Sequence, residues 1–368
     1  VNILRRLPLS RLLLLCGVIV AVAIGATALA LAVSTGPTPP PKPLAEAIHD
    51  ALAGAHGRQL EGVSARIRYT NHLLEGADLA SGGSGGGGET SKLSSSPLLT
   101  GATGRLWIGS DGRARLELQS EEGDTQILYD GHNASLYDAA SNTLYRYTPP
   151  PRPDRTTDTR NPPSVAQIEE AIARAGKHAV VSGATPTDVA GRAAYTVRLS
   201  PRENGGLIGG VELSWDASTG VPLRAAIYSS TGSAPVIELA ASEIGYGPVE
   251  SSTLDFPAPS DAKIEEITLP AERTSGNGST DASHPHVTTH GKGLEAIALL
   301  ESPAKAGADE TTTDSRLEGL QKVNIGSVSA SELSTQLGTL LSFERAGVRY
   351  VLAGAVTPAA IEEFARGL

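Results

Sequence analysis

From residue 192 to 256 the chain alternates apolar and polar positions, and every gap is filled by Gly, Pro, Asn or Asp. Apolar residues two apart give a strand one greasy face and one wet face. The spacing predicts strands over 195–199, 211–215, 223–228 and 235–240. Tyr195, Val197 and Leu199 align with Val211, Leu213 and Trp215 as inward sets, and Ile227, Ile237 and Leu239 continue them. Upstream, 63–70 is the first strand candidate. Leu106 and Ile108 then point one way with Trp107 opposite, followed by Leu116 and Leu118, Ile127 and Tyr129, Leu136, and Tyr145 and Tyr147. Asp111-Gly112 and Asp130-Gly131 are hairpin signals. Two helices are predicted beside these strands. One, over 44–52, carries Leu44, Ile48 and Leu52 on one side; the other, over 164–175, is capped by Ser164 and buries Val165, Ile168 and Ile172.

This pattern leaves more apolar sheet than helix to cover it. About nine strands of ~6 residues at ~4.8 Å spacing make a face of roughly 850 Å². Two short helices cover ~350 Å² of it. The remainder must be closed by curling the sheet, by another domain or by a guest. A half-barrel with an apolar hollow satisfies this geometry, and so does a sheet bent over its own filled core.

The first 34 residues point to a membrane. Arg5, Arg6 and Arg11 precede an uncharged stretch, 12–33, which is long enough to span a hydrocarbon core of roughly 30 Å. The basic end stays in the cytoplasm, which places the rest outside the bacterial cytoplasmic membrane as a single-pass protein. Cleavage after Ala28-Leu29-Ala30 or Ala30-Leu31-Ala32 is the alternative. Val1 reads as a literally translated GTG start, which suggests a bacterial source. Cys16 is the only cysteine and lies inside the apolar stretch, so the exported part has no disulfide. A net charge of −10 excludes the basic face of a nucleic-acid binder.

The remaining segments set the domain plan: a Pro-rich extended spacer over 35–43, a main domain over 44–268, a Gly/Ser-rich linker over 269–285 and a small α+β domain over 286–368. In the last, strands are predicted over 295–300, 320–325, 340–345 and 348–353, and a helix over 358–366. Little of the chain suggests reaction chemistry. The Gly-x-Ser-x-Gly at 82–86 lies in a glycine tract, without the strand and helix that a nucleophile elbow needs. His284, His286 and His290 read as a solvated polar segment, and Asp261, Glu265 and Glu266 as water-facing residues after the last strand. Tyr129, Tyr145, Tyr147 and Tyr195 either line a cavity entrance or are ordinary strand tyrosines. The chain is read as a non-enzyme with no metal and no cofactor.

A family resemblance gives the pattern a function. The residues that carry it are Gly191-Arg192-Ala193-Ala194-Tyr195, Leu213-Ser214-Trp215-Asp216, Gly220-Val221-Pro222-Leu223-Arg224 and Phe256-Pro257-Ala258-Pro259 before Ala262-Lys263-Ile264. Leu128-Tyr129-Asp130-Gly131 and Leu144-Tyr145-Arg146-Tyr147 fit as well. In order and spacing, over 44–267, they resemble the bacterial outer-membrane lipoprotein carrier family, LolA. That resemblance implies an incomplete antiparallel β-barrel closed by helices around a cavity for lipid chains, an α+β fold. The segments Leu337-Gly338-Thr339 and 343–350 are similar to the C-terminal part of the anti-sigma-factor regulator RseB. The expected partners are therefore a lipid or lipoprotein acyl chain, the membrane through 12–33, and an envelope protein for the C-terminal domain. The alternative function is an RseB-like envelope-stress regulator acting through protein partners.

Overall fold

A computed structural model describes residues 36–57, 60–75, 98, 101–121, 123–149, 162–202, 205–267, 286–291, 293–303 and 320–368. The apolar stretch 12–33, the glycine tract, the linker, and His284 lie outside the described residues. No helix among the described residues is long and apolar enough to cross a membrane.

The described chain is mostly sheet with few helices. After helix α1 (Leu44–Gly57) come β1 (Gly62–Asn71), β2 (Ala102–Gly109), β3 (Ala114–Ser120), β4 (Gly123–Tyr129), β5 (Ala134–Asp138) and β6 (Thr143–Tyr147). Helix α2 (Val165–Ala175) leads into β7 (Ala179–Val181), β8 (Thr185–Val189), β9 (Arg192–Pro201), β10 (Ile208–Asp216), β11 (Pro222–Ser229) and β12 (Pro235–Tyr246). A short helix, α3 (Ser251–Leu254), precedes β13 (Lys263–Ile267). These strands form one thirteen-stranded sheet in the order β13-β6-β5-β4-β3-β2-β1-β12-β11-β10-β9-β7, with β8 also on β9. The sheet does not close into a barrel. Every pairing is antiparallel except β13 on β6, which is parallel.

Several expectations are corrected here. The sheet has more strands than the nine expected, because β7 and β8 are short edge strands and β13 is mostly charged. Glu265 and Glu266 lie within β13, and Glu266 pairs with Arg146, so they do not follow the last strand. Strand β12 runs on to Tyr246, past the expected end at Ala240. Its alternation changes phase at a bulge opposite Arg66 and Ile67: Ala241 faces Ile67, then Ile244 faces Ala65. An extra residue in one strand is what flips the period. The spacer does not stand clear of the domain. Pro39 is buried, and the Tyr195 hydroxyl donates to the Pro40 carbonyl at 2.6 Å.

One turn explains how α1 is seated. The buried Asp216 carboxylate accepts from the Ser218 N–H (2.7 Å) and hydroxyl (2.6 Å), the Thr219 N–H (3.0 Å) and the Tyr246 hydroxyl (2.8 Å). This fixes the β10–β11 turn so that Gly220, at φ +73°, lies against α1. A Cβ there would sit 2.2 Å from the Ala51 carbonyl. Helix α1 runs five residues past its expected end, and Gly54 lies against the same turn: a Cβ there would sit 3.1 Å from the Ser218 carbonyl.

The second sheet comprises β14 (His286–His290), β15 (Ile297–Pro303), β16 (Gln321–Ile325), β17 (Val328–Ser334), β18 (Thr339–Arg345) and β19 (Val348–Gly354), in the order β14-β15-β19-β18-β17-β16. Helix α4 (Pro358–Arg366) has the expected bounds and is capped by Thr357. Ile361 and Ala365 pack into a core with Leu299, Ile325, Leu341 and Leu352. Strands β14 and β17 were not anticipated. The two sheets meet at a few bonds, among them Leu207 N–H to the Ala355 carbonyl (2.7 Å) and Gln336 Nε2 to the His72 carbonyl (3.1 Å).

Candidate functional site

Strand register places the eighteen predicted strand residues of the site on one face of the large sheet. Leu106, Leu116, Ile127, Leu136 and Tyr145 oppose one another in turn across β2 to β6. Leu199, Val211, Ile227 and Ile237 do the same across β9 to β12, as do Val197 and Leu213. Tyr195 opposes Trp215. Ile108, Tyr129 and Tyr147 share the face through Ala114 and Ala134, Leu118 opposes Gly104, and Leu239 opposes Tyr69. The other face is polar: Arg224 bonds Glu238, Glu212 and the Tyr228 hydroxyl.

The apolar face is used in three different ways. Over β1 to β3 and β11 to β12 it is a filled core: Leu106, Leu116, Leu118 and Leu239 pack with Ala65, Ile67, Ala102 and Ala241. Under α1 it is also filled, since Tyr195 (2% exposed) and Trp215 pack against Ala47, Leu44 and Ile48. Tyr195 therefore does not line an entrance, and its hydroxyl is taken by Pro40. The Tyr129 hydroxyl is likewise taken, by the Gly131 carbonyl. At the β4 to β6 end, Ile127, Leu136, Tyr145 and Tyr147 are half-buried and Tyr129 is exposed. Ile108, Leu213, Ile227 and Ile237 are also half-buried.

Between the two helices and β7 and β9 the face opens. A cavity of about 910 Å³ is lined by Leu44 and Ile48 of α1, Ile168, Ala171 and Ile172 of α2, and Val181, Val197 and Leu199 of the sheet. Ile168, Ile172, Val197 and Leu199 are thus the four predicted residues that the fold brings together around a hollow. From Leu199 the apolar row continues to Val211, Ile227 and Ile237. Leu199 and Val211 are each 38% exposed. Directly opposed side chains sit about 4.5–5.5 Å apart, so the row is a continuous apolar floor.

Helix α2 is lightly held over this cavity. Ser164 and Gln167 form a capping box, and Ile168 is the helix's one buried residue. Two side chains tie its ends. His49 Nδ1 lies 2.8 Å from the Pro163 carbonyl just before the helix, and Arg202 Nε donates to the Gly176 carbonyl just after it (2.6 Å). Sequence reasoning missed Leu44, Ile48 and Val181 as lining residues and His49 as a tie. The stripe of Leu44 and Ile48 was visible, but which part of the face it would cover was not. No group of three or more His, Cys, Asp or Glu side chains among the described residues could hold a metal ion.

No family profile and no curated protein matches the chain. Solved structures similar to it include MucB in complex with MucA(peri), at 16% identity and a TM-score of 0.45 over 87% of this chain and 97% of that one. The MucA/MucB complex of Pseudomonas aeruginosa follows at 14% and 0.44, over 86% and 96%. A LolA superfamily protein of Nitrosomonas europaea is similar at 9% and 0.20, over 87% and 97%. The structural neighbours thus include the RseB-like MucB and a LolA superfamily member, the two groups that the sequence resembles. At these identities and scores they carry no conclusion about function.

Proposed function

We propose that this chain is a membrane-tethered, extracytoplasmic binding protein for the acyl chain of a lipid or lipoprotein. The observation that carries the reading is the cavity under α2, continued by the apolar row from Leu199 to Ile237. A mostly apolar hollow of this size suits a hydrocarbon guest. Affinity would come from burial, at ~0.8 kcal/mol per CH₂. The guest enters between α2 and the sheet and displaces Ile168 and Ile172, and the same helix re-covers the face on release. Residues 12–33 tether the protein to the cytoplasmic membrane, which favours local handover over free shuttling. No reaction is assigned to it.

The test is native mass spectrometry of the protein isolated from a bacterial envelope. A co-purifying acyl-chain mass, lost on organic extraction, is expected. An empty protein that also refuses fluorescent fatty-acid probes would overturn the reading.

A regulator acting through a protein partner is the second reading. It is favoured by the C-terminal domain, which has its own core and exposes Val287, Leu294 and Leu368. Deleting residues 286–368 separates the two: a carrier keeps lipid binding, whereas a regulator loses its partner.

A further inference from the structure

The polar residues that line the cavity are on α2, and the cation among them, Arg174, lies at its C-terminal end. Gln167, Glu170 and Arg174 line the hollow beside its apolar residues. The turn that leaves the helix adds Lys177 and His178, whose N–H groups donate to the Arg174 and Ala175 carbonyls. The chain leaving β9 then brings Arg202 to the same turn, through Nε to the Gly176 carbonyl (2.6 Å) and its own N–H to the His178 carbonyl (3.3 Å).

Arg174 at the cavity and Lys177 and Arg202 at the turn that follows it thus bring three permanent cations to the C-terminal end of α2, in a chain of net charge −10. Neutralisation within the protein is slight. Arg174 pairs with Glu170, but both are more than half exposed, and such pairs are weak and screened by salt. Among the described residues Lys177 has no ion-pair partner, and the Arg202 side chain bonds only through Nε. Cations complement a helix C-terminus, which accounts for part of the arrangement. That complement needs only the charges of the last turn; it does not need a further guanidinium delivered from the end of a strand. Such a fork matches carboxylate and phosphate oxygens.

We propose that the guest is an acyl chain ending in an anionic head, a carboxylate or a phosphate. The chain lies in the cavity, and the head rests against Arg174, Lys177 and Arg202. This rests on the acyl-chain reading above and adds the chemistry of the guest's polar end.

The experiment is pairwise competition on the full chain, released from detergent micelles into native mass spectrometry at mildly alkaline pH. The probes are palmitate, hexadecyl phosphate and hexadecanol, which share one chain and differ in head. The anions should displace hexadecanol by about tenfold or more, equivalent to about 1.4 kcal/mol. The double substitution Arg174→Gln with Lys177→Gln should remove most of that preference while hexadecanol still binds, and retained hexadecanol shows that the variant is folded. A preference confined to one anion would say which head is taken. Equal occupancy by all three probes would overturn the head-group inference and leave the cavity reading standing. Binding of none of them would overturn both.

Discussion

Truncating a residue that lines the cavity should tighten binding. Ile168 is 6% exposed and is the only buried residue of α2, so its burial is the main apolar anchor of the helix. Ile-to-Ala changes in cores cost about 2–5 kcal/mol. The lower end applies here, because Ile168 borders a hollow and α2 is solvated on its outer side. If a guest must displace α2, Ile168→Ala lowers the cost of displacement by about 2 kcal/mol. At about 1.4 kcal/mol per tenfold, the apparent affinity rises by up to ~30-fold. Contacts that the guest loses with Ile168 reduce this to roughly five- to tenfold. Leu199→Ala, on the fixed floor, should weaken binding by about tenfold, since it removes contact without loosening the lid. Displacement of a fluorescent fatty acid measures both. Weaker or unchanged binding by Ile168→Ala would show that α2 is a static wall and would refute the displacement mechanism.

Other consequences concern stability. Burial alone would raise the Asp216 carboxyl, but donors from Ser218, Tyr246 and Thr219 outweigh it and hold it below the usual carboxylate range. Its stabilisation is complete above the unfolded value of about 3.9 and is lost as pH falls through the lower folded value. Asp216→Asn should flatten that acid limb and cost roughly 1–3 kcal/mol at neutral pH, read by Trp215 fluorescence in urea; an unchanged limb would count against it. Gly220→Ala should cost more than the ~1–2 kcal/mol of a left-handed Ala, because its Cβ meets the Ala51 carbonyl. Faster hydrogen exchange in α1 is the expected sign. In the C-terminal domain, burial and then Glu362 push the Glu332 carboxyl up; Glu332 is 4% exposed, and its Oε2 has no partner among the described residues. Its folded value lies above its unfolded one, so stability is lost as pH rises through the folded value. Glu332→Gln should protect α4 from exchange at neutral pH, and equal exchange in both proteins would disprove the assignment.

Alternation was enough to group the predicted strand residues on one face of the sheet, because a period of two is the side-chain period of a strand. It failed where the backbone inserts a residue. The bulge opposite Arg66 and Ile67 moves the inward set of β12 from odd to even positions, so Ile244 and Tyr246 read as the end of a pattern. Strands β8 and β13 were illegible for another reason: edge strands need not be apolar on either face. Asp216 to Gly220 was legible as a turn, but not as the seat of α1. That role depends on the absence of a Cβ beneath a helix some 170 residues earlier.

Alternation also could not separate filled core from cavity, since both are written as the same apolar periodicity. The difference lies in what faces the strands. Leu106, Leu116 and Leu239 meet Ala65, Ala102 and Ala241, and large beside small interdigitates into a dry layer. Leu199 and Val211 are each 38% exposed, and Leu199 borders the hollow beneath α2, a helix with one buried isoleucine that rests against α1. Position matters as much as packing. Helix α2 joins the sheet through β7, a three-residue strand paired only with the end of β9. Lifting the helix therefore disturbs a short edge ladder and its packing on α1, and leaves β1, β10, β11 and β12 intact. Segments with few buried contacts and few shared hydrogen bonds are the ones that open at low cost. A guest that enters at this edge gains apolar contact over the row from Leu199 to Ile237 at the expense of the weakest cover on the face.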